Sequence, residues 1–258
     1  VIDVPAERVK SMPALLGEAD LVKTLQQLPG VAVGTEGMTG LYVRGGGADE
    51  NLYLLDGNPV YHVNHLLGFF SAFNPDAIKN TRFYKGSFPA EYGGRLSSVV
   101  DVRMNDGNRQ EYHGNISVGL LSARANLEGP IVKDRSSFNV SVRRTWLDLI
   151  TGTALAIVNK NSDTKESFGY HFFDINAKVN HSFSERSRAY LSFYMGQDAF
   201  RQGSKEKHED SDDMFLWRWG NLIGSAGWNY VFGQKLFGNL MVGYSRFRSH
   251  IRQEAKGY

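Results

Sequence analysis

The chain has 258 residues, of which 41% are hydrophobic and 12% aromatic, and its formal net charge is +2. That is enough for one large or two smaller packed domains. The weak charge implies no polyanionic partner, so no nucleic acid is expected. Cysteine is absent, which excludes disulfide frameworks and cysteine-ligated metal or redox sites.

The mean hydropathy is −0.35 and no run of 18 apolar residues occurs, so no membrane-spanning helix is expected. A transmembrane β-barrel remains open, because its alternating strands give only a weak hydropathy signal.

Residues 1–107 mix short helical and strand signals. Leu21, Val22, Leu25 and Leu28 sit at helical spacing, with Asp20 near the start and Pro29-Gly30 at the stop. Short strands are predicted at 31–33, 41–43 and 52–55. Asn74-Pro75-Asp76 reads as an N-cap with proline in the first turn, opening a helical turn at 75–79. Strands at 80–85 and 97–103 complete a small α/β domain with many glycine-supported turns.

From about residue 108 the pattern becomes long strands of period two. Phe138, Val140, Val142 and Trp146 share one face, with Arg144 the exception, and Asn139, Ser141, Arg143 and Thr145 share the other. Phe173, Ile175, Ala177, Val179 and Phe183 alternate in the same way with Asp174, Asn176, Lys178, Asn180 and Ser182. Seven strands are predicted, at 111–120, 122–129, 136–147, 170–183, 187–200, 214–232 and 236–250. The longest exceed an ordinary strand of about 5–6 residues and suit tilted bilayer spans. Tight turns at 129–136, 183–187 and 232–235 alternate with longer polar loops at 148–169 and 201–213. Short turns at one end and long loops at the other are an outer-membrane pattern. Aromatic residues gather at the strand ends, among them Trp146, Phe172, Phe200, Trp217, Trp219, Trp228 and Tyr230, as amphipathic rings do at headgroup level.

Gly45-Gly46-Gly47 invites a phosphate-loop reading. That loop needs a lysine and hydroxyl after the glycines, or a helix opening on them. Here Ala-Asp-Glu-Asn and a strand follow, so glycine's freedom at positive φ accounts for the run. His62 and His65 lack a third ligand of suitable spacing and read as loop histidines without a metal. The acidic stretch 206–213 lacks the central glycine and terminal glutamate of an EF-hand and reads as a solvated loop. No serine sits in a G-x-S-x-G elbow. No enzyme, cofactor or metal is expected.

Three motifs in order carry a family resemblance. "LQQLPGV" is followed by "VRGGGADENLYLLDGNPV" and then by "NPDAIKNTRFYKGSFPAEYGGRLSSVVDVRM". Together they span 14–104 and resemble the plug domain of TonB-dependent outer-membrane receptors. "ANLEGPI" and "SVRRTW" look like early barrel strands of Bacteroidetes-type receptors. The resemblance implies an α/β plug domain at 1–107 and, at 108–258, antiparallel β-strands of an incomplete transmembrane β-barrel. It implies tight plug turns at Gly45, Gly46, Gly47, Gly57, Gly93 and Gly94. It gives Arg44 and Arg95 the role of pairing with acidic groups of the barrel wall.

It also implies the outer membrane of a Gram-negative bacterium, with outer-membrane lipid, an extracellular nutrient and TonB as partners. TonB would engage an N-terminal segment that is not recognisable before Val1. The strand pattern still runs at Tyr258, and plugged transporters have about 22 strands, so a piece of a longer receptor is expected. The rival reading is a soluble secreted β-rich adhesion or glycan-binding module.

On the receptor reading, the outer strands would present unpaired edges and a former lipid face to water. The chain alone, without detergent, is expected to self-associate. Analytical ultracentrifugation checks this, and a clean monomer at micromolar concentration would favour the soluble module.

Overall fold

The computed structural model describes residues 1–12, 18–34, 38–206 and 212–256. The N-terminal unit begins with β1 (Ile2–Pro5), α1 (Ala6–Ser11) and α2 (Leu21–Gln26). It continues through β2 (Val31–Ala32), β3 (Tyr42–Val43), β4 (Asn51–Leu55), β5 (Asn58–Pro59), β6 (Asn64–His65) and β7 (Phe70–Ser71), and ends in β8 (Ile78–Lys85) and β9 (Ser98–Met104). Five of these strands form one sheet in the order β1-β8-β9-β4-β5, with β4 and β9 parallel.

Asp20 caps α2 by accepting a 3.0 Å hydrogen bond from the Lys23 amide, and Gly30 at φ +78° ends the segment. Leu21, Val22, Leu25 and Leu28 pack into a core with Phe83, Val100 and Val102. The β4–β5 hairpin turns on Asp56-Gly57, both at positive φ, the conformation that a two-residue hairpin with right-handed twist needs. Asn74 makes only a turn, accepting from the Asp76 amide at 3.1 Å. β8 starts at Ile78, so the helical turn expected at 75–79 gives way to strand.

The second unit is a single antiparallel meander: β10 (His113–Val118), β11 (Ser122–Val132), β12 (Ser136–Thr145), β13 (Thr164–Ser184), β14 (Ser187–Glu206), β15 (Asp212–Val231) and β16 (Phe237–Lys256). Each strand pairs only with its chain neighbours, so the seven-stranded sheet is open, with β10 and β16 at its edges. The strand count agrees with the sequence pattern, but β13 to β16 reach 20 or 21 residues. At about 3.3 Å per residue, this carries them well past a hydrocarbon band about 25 Å tall.

The segment expected as a polar loop at 148–169 instead holds α3 (Leu147–Val158), and β13 already begins at Thr164. Its sequence, LDLITGTALAIV, keeps an apolar helical repeat. The polar stretch that made the region read as loop is only 159–167. The loop expected at 201–213 is strand at 201–206 and 212–213, where β14 and β15 continue to pair, and its remaining residues lie outside the described ones.

The faces divide as the alternation predicts. Asn139, Ser141, Arg143, Asp174, Asn176, Lys178 and Asn180 are buried against the N-terminal unit, whereas Val140, Val142 and Val179 are each about 40% exposed on the other side. The two units join through Gly107, at φ +80°, where a Cβ would overlap the Phe138 carbonyl. Spin labels placed at Val140 and Ile175 in the full-length protein in lipid should be reached by oxygen and not by a water-soluble nickel chelate. A label at Asn176 should give the reverse.

Candidate functional site: the interface between plug and wall

One face of the meander packs on the N-terminal unit, and charged side chains meet there, the central ones buried. At the short-turn end, Lys178 of β13 reaches Asp56 of the plug at 3.1 Å and Asp106 of the connecting segment at 3.1 Å. Arg188 and Lys79 also hold Asp106. Burial alone would raise the Asp106 carboxyl, yet these cations hold it well below the usual carboxylate range. Close by, Gly57 lies against Met241 of β16, where a Cβ would stand 2.5 Å from the sulfur.

Midway along the strands, the fully buried Arg143 of β12 donates to Asp174 of β13 (2.8 Å), to Glu18 of the plug (3.1 Å) and to the Ser71 carbonyl (2.8 Å). Its guanidinium lies over the Phe172 ring at 5.1 Å. Ser122 donates to the second Glu18 oxygen. Arg124 of β11 stands 2.7 Å from Asp76, as an ion pair without hydrogen-bond alignment, and Lys10 completes the Asp76 site at 2.9 Å.

Toward the long-loop end, His65 of the plug enters between two wall carboxylates. Nδ1 lies 2.6 Å from Asp198 and Nε2 2.9 Å from Asp174, and the ring stacks on Phe172 at 4.2 Å. With a carboxylate at each nitrogen, both must carry hydrogen, so the ring is the imidazolium. Burial pushes the imidazole down, but Asp174 and Asp198 outweigh it and lift its pKa to about 9. Tyr170 donates to Asp198 and also meets the Leu66 amide. Tyr194 donates to Asp174 at 3.0 Å. Immediately after His65, Leu66, Leu67 and Gly68 all take positive φ, a conformation costly for the two leucines. The Gly68 carbonyl accepts from the Thr39 hydroxyl at 2.8 Å, which fixes this apex.

Above His65 the lumen is aromatic. Phe168, Phe200 and Phe215 form a chain of edge contacts from wall strand to wall strand, and Trp217 lies against Trp219 at 4.2 Å. Tyr61, Leu67 and Phe69 of the plug are exposed.

The residues singled out in the sequence sit mostly elsewhere. Gly45 follows Arg44 at positive φ in a tight turn closed by Gly46 N–H to Val43 O at 3.0 Å. Gly46 is packed against Ser97, and the Gly47 amide donates to Glu50. Gly94 has φ +80°, and Gly93 is not left-handed. Arg44 is exposed, and Arg95 bonds only the adjacent Gly94 carbonyl. Among the described residues neither meets an acidic side chain of the seven strands. The pairs that do cross the interface mainly run the other way, with carboxylates on the plug and cations on the wall. His65, read as a loop histidine, is the exception. The available signal was a single strand face carrying Asp174 and Lys178, and Arg143 among small polar residues on the neighbouring strand.

The chain thus places a compact α/β unit against one face of an open sheet of long antiparallel strands. Residues 5–100 match the family model described as the TonB-dependent receptor plug domain. No curated protein sequence matches the chain.

Among solved structures, the siderophore receptor PirA from Acinetobacter baumannii aligns over 97% of this chain and 48% of its own, with TM-score 0.53 and 15% identity. A mutant of the ferric enterobactin receptor PfeA from Pseudomonas aeruginosa aligns over 97% and 49%, with TM-score 0.51 and 14% identity. The copper transporter OprC aligns over 97% and 46%, with TM-score 0.56 and 9% identity.

The chain carries the plug domain of TonB-dependent receptors at residues 5–100, and the strands that follow resemble in fold the start of the barrels of these solved receptors. It spans about half the length of these solved receptors.

His65 gives the interface a pH signature. Its folded pKa of about 9 lies above the ordinary value of 6.5. Its stabilisation is therefore complete below about pH 6.5 and is lost as pH rises through 9. Thermal melting of the full-length protein in detergent should show a Tm that falls over this window. His65→Ala should remove that slope and, at pH 7, cost on the order of 3–5 kcal/mol, the penalty for stranding a buried charge.

Proposed function

We propose that the full-length protein binds a scarce nutrient at its extracellular end and imports it across the outer membrane, with energy relayed by TonB. TonB would pair with an extended N-terminal segment by strand addition. The observation that carries this reading is the plug seated against the wall by buried ion pairs, with its strained 66–68 apex aimed at the long-loop end. An obstruction fixed by a few discrete polar contacts suits a pore that must open and reseal.

The aromatic lumen above His65, with exposed Tyr61 and Phe69 on the plug, favours a cargo that presents rings or apolar surface. Arg44 and Arg95, exposed on the plug, are assigned to acidic groups on wall strands after β16. The ANLEGPI segment lies in β11, and SVRRTW, which contains Arg143, covers the end of β12 and Trp146 just beyond it; they support a Bacteroidetes-type nutrient receptor.

Cells carrying the full-length gene, its deletion, or a TonB deletion should be compared for uptake of ferric siderophores, copper, cobalamin, oligosaccharides and peptides. Uptake of one class should depend on both genes. Uptake of every class unchanged by either deletion would overturn the reading.

A further inference from the structure

The strands that meet the plug do not all meet it in the same way. Each of β11 to β14 brings at least one charged side chain to the interface: Arg124, Arg143, Asp174 with Lys178, and Asp198. On β16, Ser245 and Phe247 reach Pro59 and the His62 ring, so the odd-numbered residues face the plug. Asn221 and Ser225 set the same parity on β15. The inward rows of these two strands run from Trp217–Ile251 at the long-loop end to Asn229–Asn239 beside the short turn. Along that whole lane stand only tryptophan, phenylalanine, isoleucine, methionine, serine, asparagine and glycine. It carries no charge.

The plug touches the lane through uncharged groups. Asn221 donates to the His62 carbonyl at 2.6 Å and accepts from the His62 amide at 3.4 Å. Ser225 donates to the Asp56 carbonyl at 3.3 Å, and Ser245 to the Pro59 carbonyl at 2.6 Å. Gly243 admits the Asn58 side chain, where an added Cβ would stand 2.5 Å from Cγ. Ile223 enters the plug core, and Trp219 packs with Phe70. At the short-turn end the lane opens into a chamber of about 510 Å³ lined by Leu54, Pro59, Tyr190, Asn229 and Asn239. Its charged members, Glu91 and Arg103, both belong to the plug.

We propose that cargo crosses along this lane, between β15–β16 and plug residues 56–63, and leaves through the chamber. The inference rests on the import reading above. A partial withdrawal of the plug from β11–β14 would strand buried charges, which is strongly destabilising. Withdrawal from β15 and β16 breaks hydrogen bonds between neutral groups, which water replaces at little net loss. It also uncovers Ile223, Trp219 and Phe247, an exposure that water disfavours. A cargo with rings or apolar surface covers those side chains in place of the plug and so favours the opening. A small hydrated ion does not. The serine hydroxyls and asparagine amides freed from the plug offer both donors and acceptors. The lane therefore suits cargo that turns an uncharged surface to it, with rings and hydroxyl or amide groups.

The 258 residues contain no cysteine, so introduced thiols can report the path. The test uses full-length receptor in planar bilayers, with urea raised in steps below the unfolding transition to loosen the plug. Ser225 of β15 and Ser141 of β12 form a matched pair: both are buried, face the plug and hydrogen-bond to it, at the Asp56 carbonyl and at Asn74. In the conducting state, S225C should react with a charged methanethiosulfonate at least about tenfold faster than S141C, as expected where one side opens and the other stays closed. Its modification should also cut the conductance. The Cβ positions of an N58C/G243C pair lie within about 4 Å, inside the disulfide range. Oxidised, this variant should stay silent over the same urea range. Reduced, it should conduct like wild type, which also shows that it is folded.

Equal or faster reaction at S141C, or conductance that survives oxidation of N58C/G243C, would overturn the proposal. So would a wild type that stays silent, with both cysteines unreactive, until it unfolds. Nutrient uptake separates the two readings. Import that continues with the oxidised pair keeps the import reading and removes the lane. Faster reaction at S225C in a receptor whose deletion changes no uptake does the reverse.

Discussion

The buried guanidinium of Arg143 is the contact on which the fit of plug to wall depends. Removing such a charge from water is costly unless every donor is matched, and here the matches come from both units. Asp174 belongs to the wall, whereas Glu18 and the Ser71 carbonyl belong to the plug. The wall alone compensates only part of the charge. Seating the plug correctly completes the set, and a displacement of one residue would leave a donor facing nothing. The pair therefore acts more as a register pin than as a source of net stability.

His65 works with the opposite polarity and at a neighbouring point. It brings a plug cation to Asp174 and Asp198, so that Asp174 is shared by a wall arginine and a plug histidine. The stacking of His65 on Phe172 and the position of Arg143 over the same ring tie the two sites into one cluster. The left-handed run Leu66–Leu67–Gly68 follows directly. Such backbone persists only where the surroundings over-determine it. The ion pairs of His65 on one side and the Thr39 hydroxyl on the other supply that constraint.

Much of this architecture is legible in the chain because it rests on local rules. Period-two alternation marks the two faces of β12 and β13, and Asp56-Gly57 and Gly45 mark turns that demand positive φ. The α3 helix was hidden by polar residues 159–167, which made the whole connection read as loop. The interface was not legible for a different reason. Glu18 and Arg143 are separated by 125 positions, and no local pattern links them. A strand face carrying Asp174, Asn176 and Lys178 looks the same whether water or a plug covers it. The glycine-flanked arginines drew attention because their motif is local, whereas the arginine that crosses the interface lies in an ordinary strand.

The division between apolar and polar contacts explains how a plug can be both firmly folded and separable. Among the described residues, its main core, from Val4 to Met104, takes only Tyr194 and Ile223 from the wall as buried members. The plug thus has most of its hydrophobic stabilisation within itself. Across the interface the principal contacts include ion pairs and hydrogen bonds, whose net contribution is small because water offers nearly equivalent partners. Leaving an apolar interface would expose a surface that water cannot satisfy. Leaving this one lets water take the place of each lost polar partner, and exposes apolar surface where Phe70 and Leu66 pack on Tyr170, Phe172 and Trp219 and where Tyr194 and Ile223 enter the plug core. Position is therefore fixed by charges that demand matching, while the folded state of the plug depends mainly on its own core, and the wall shares a smaller apolar cluster around Phe70.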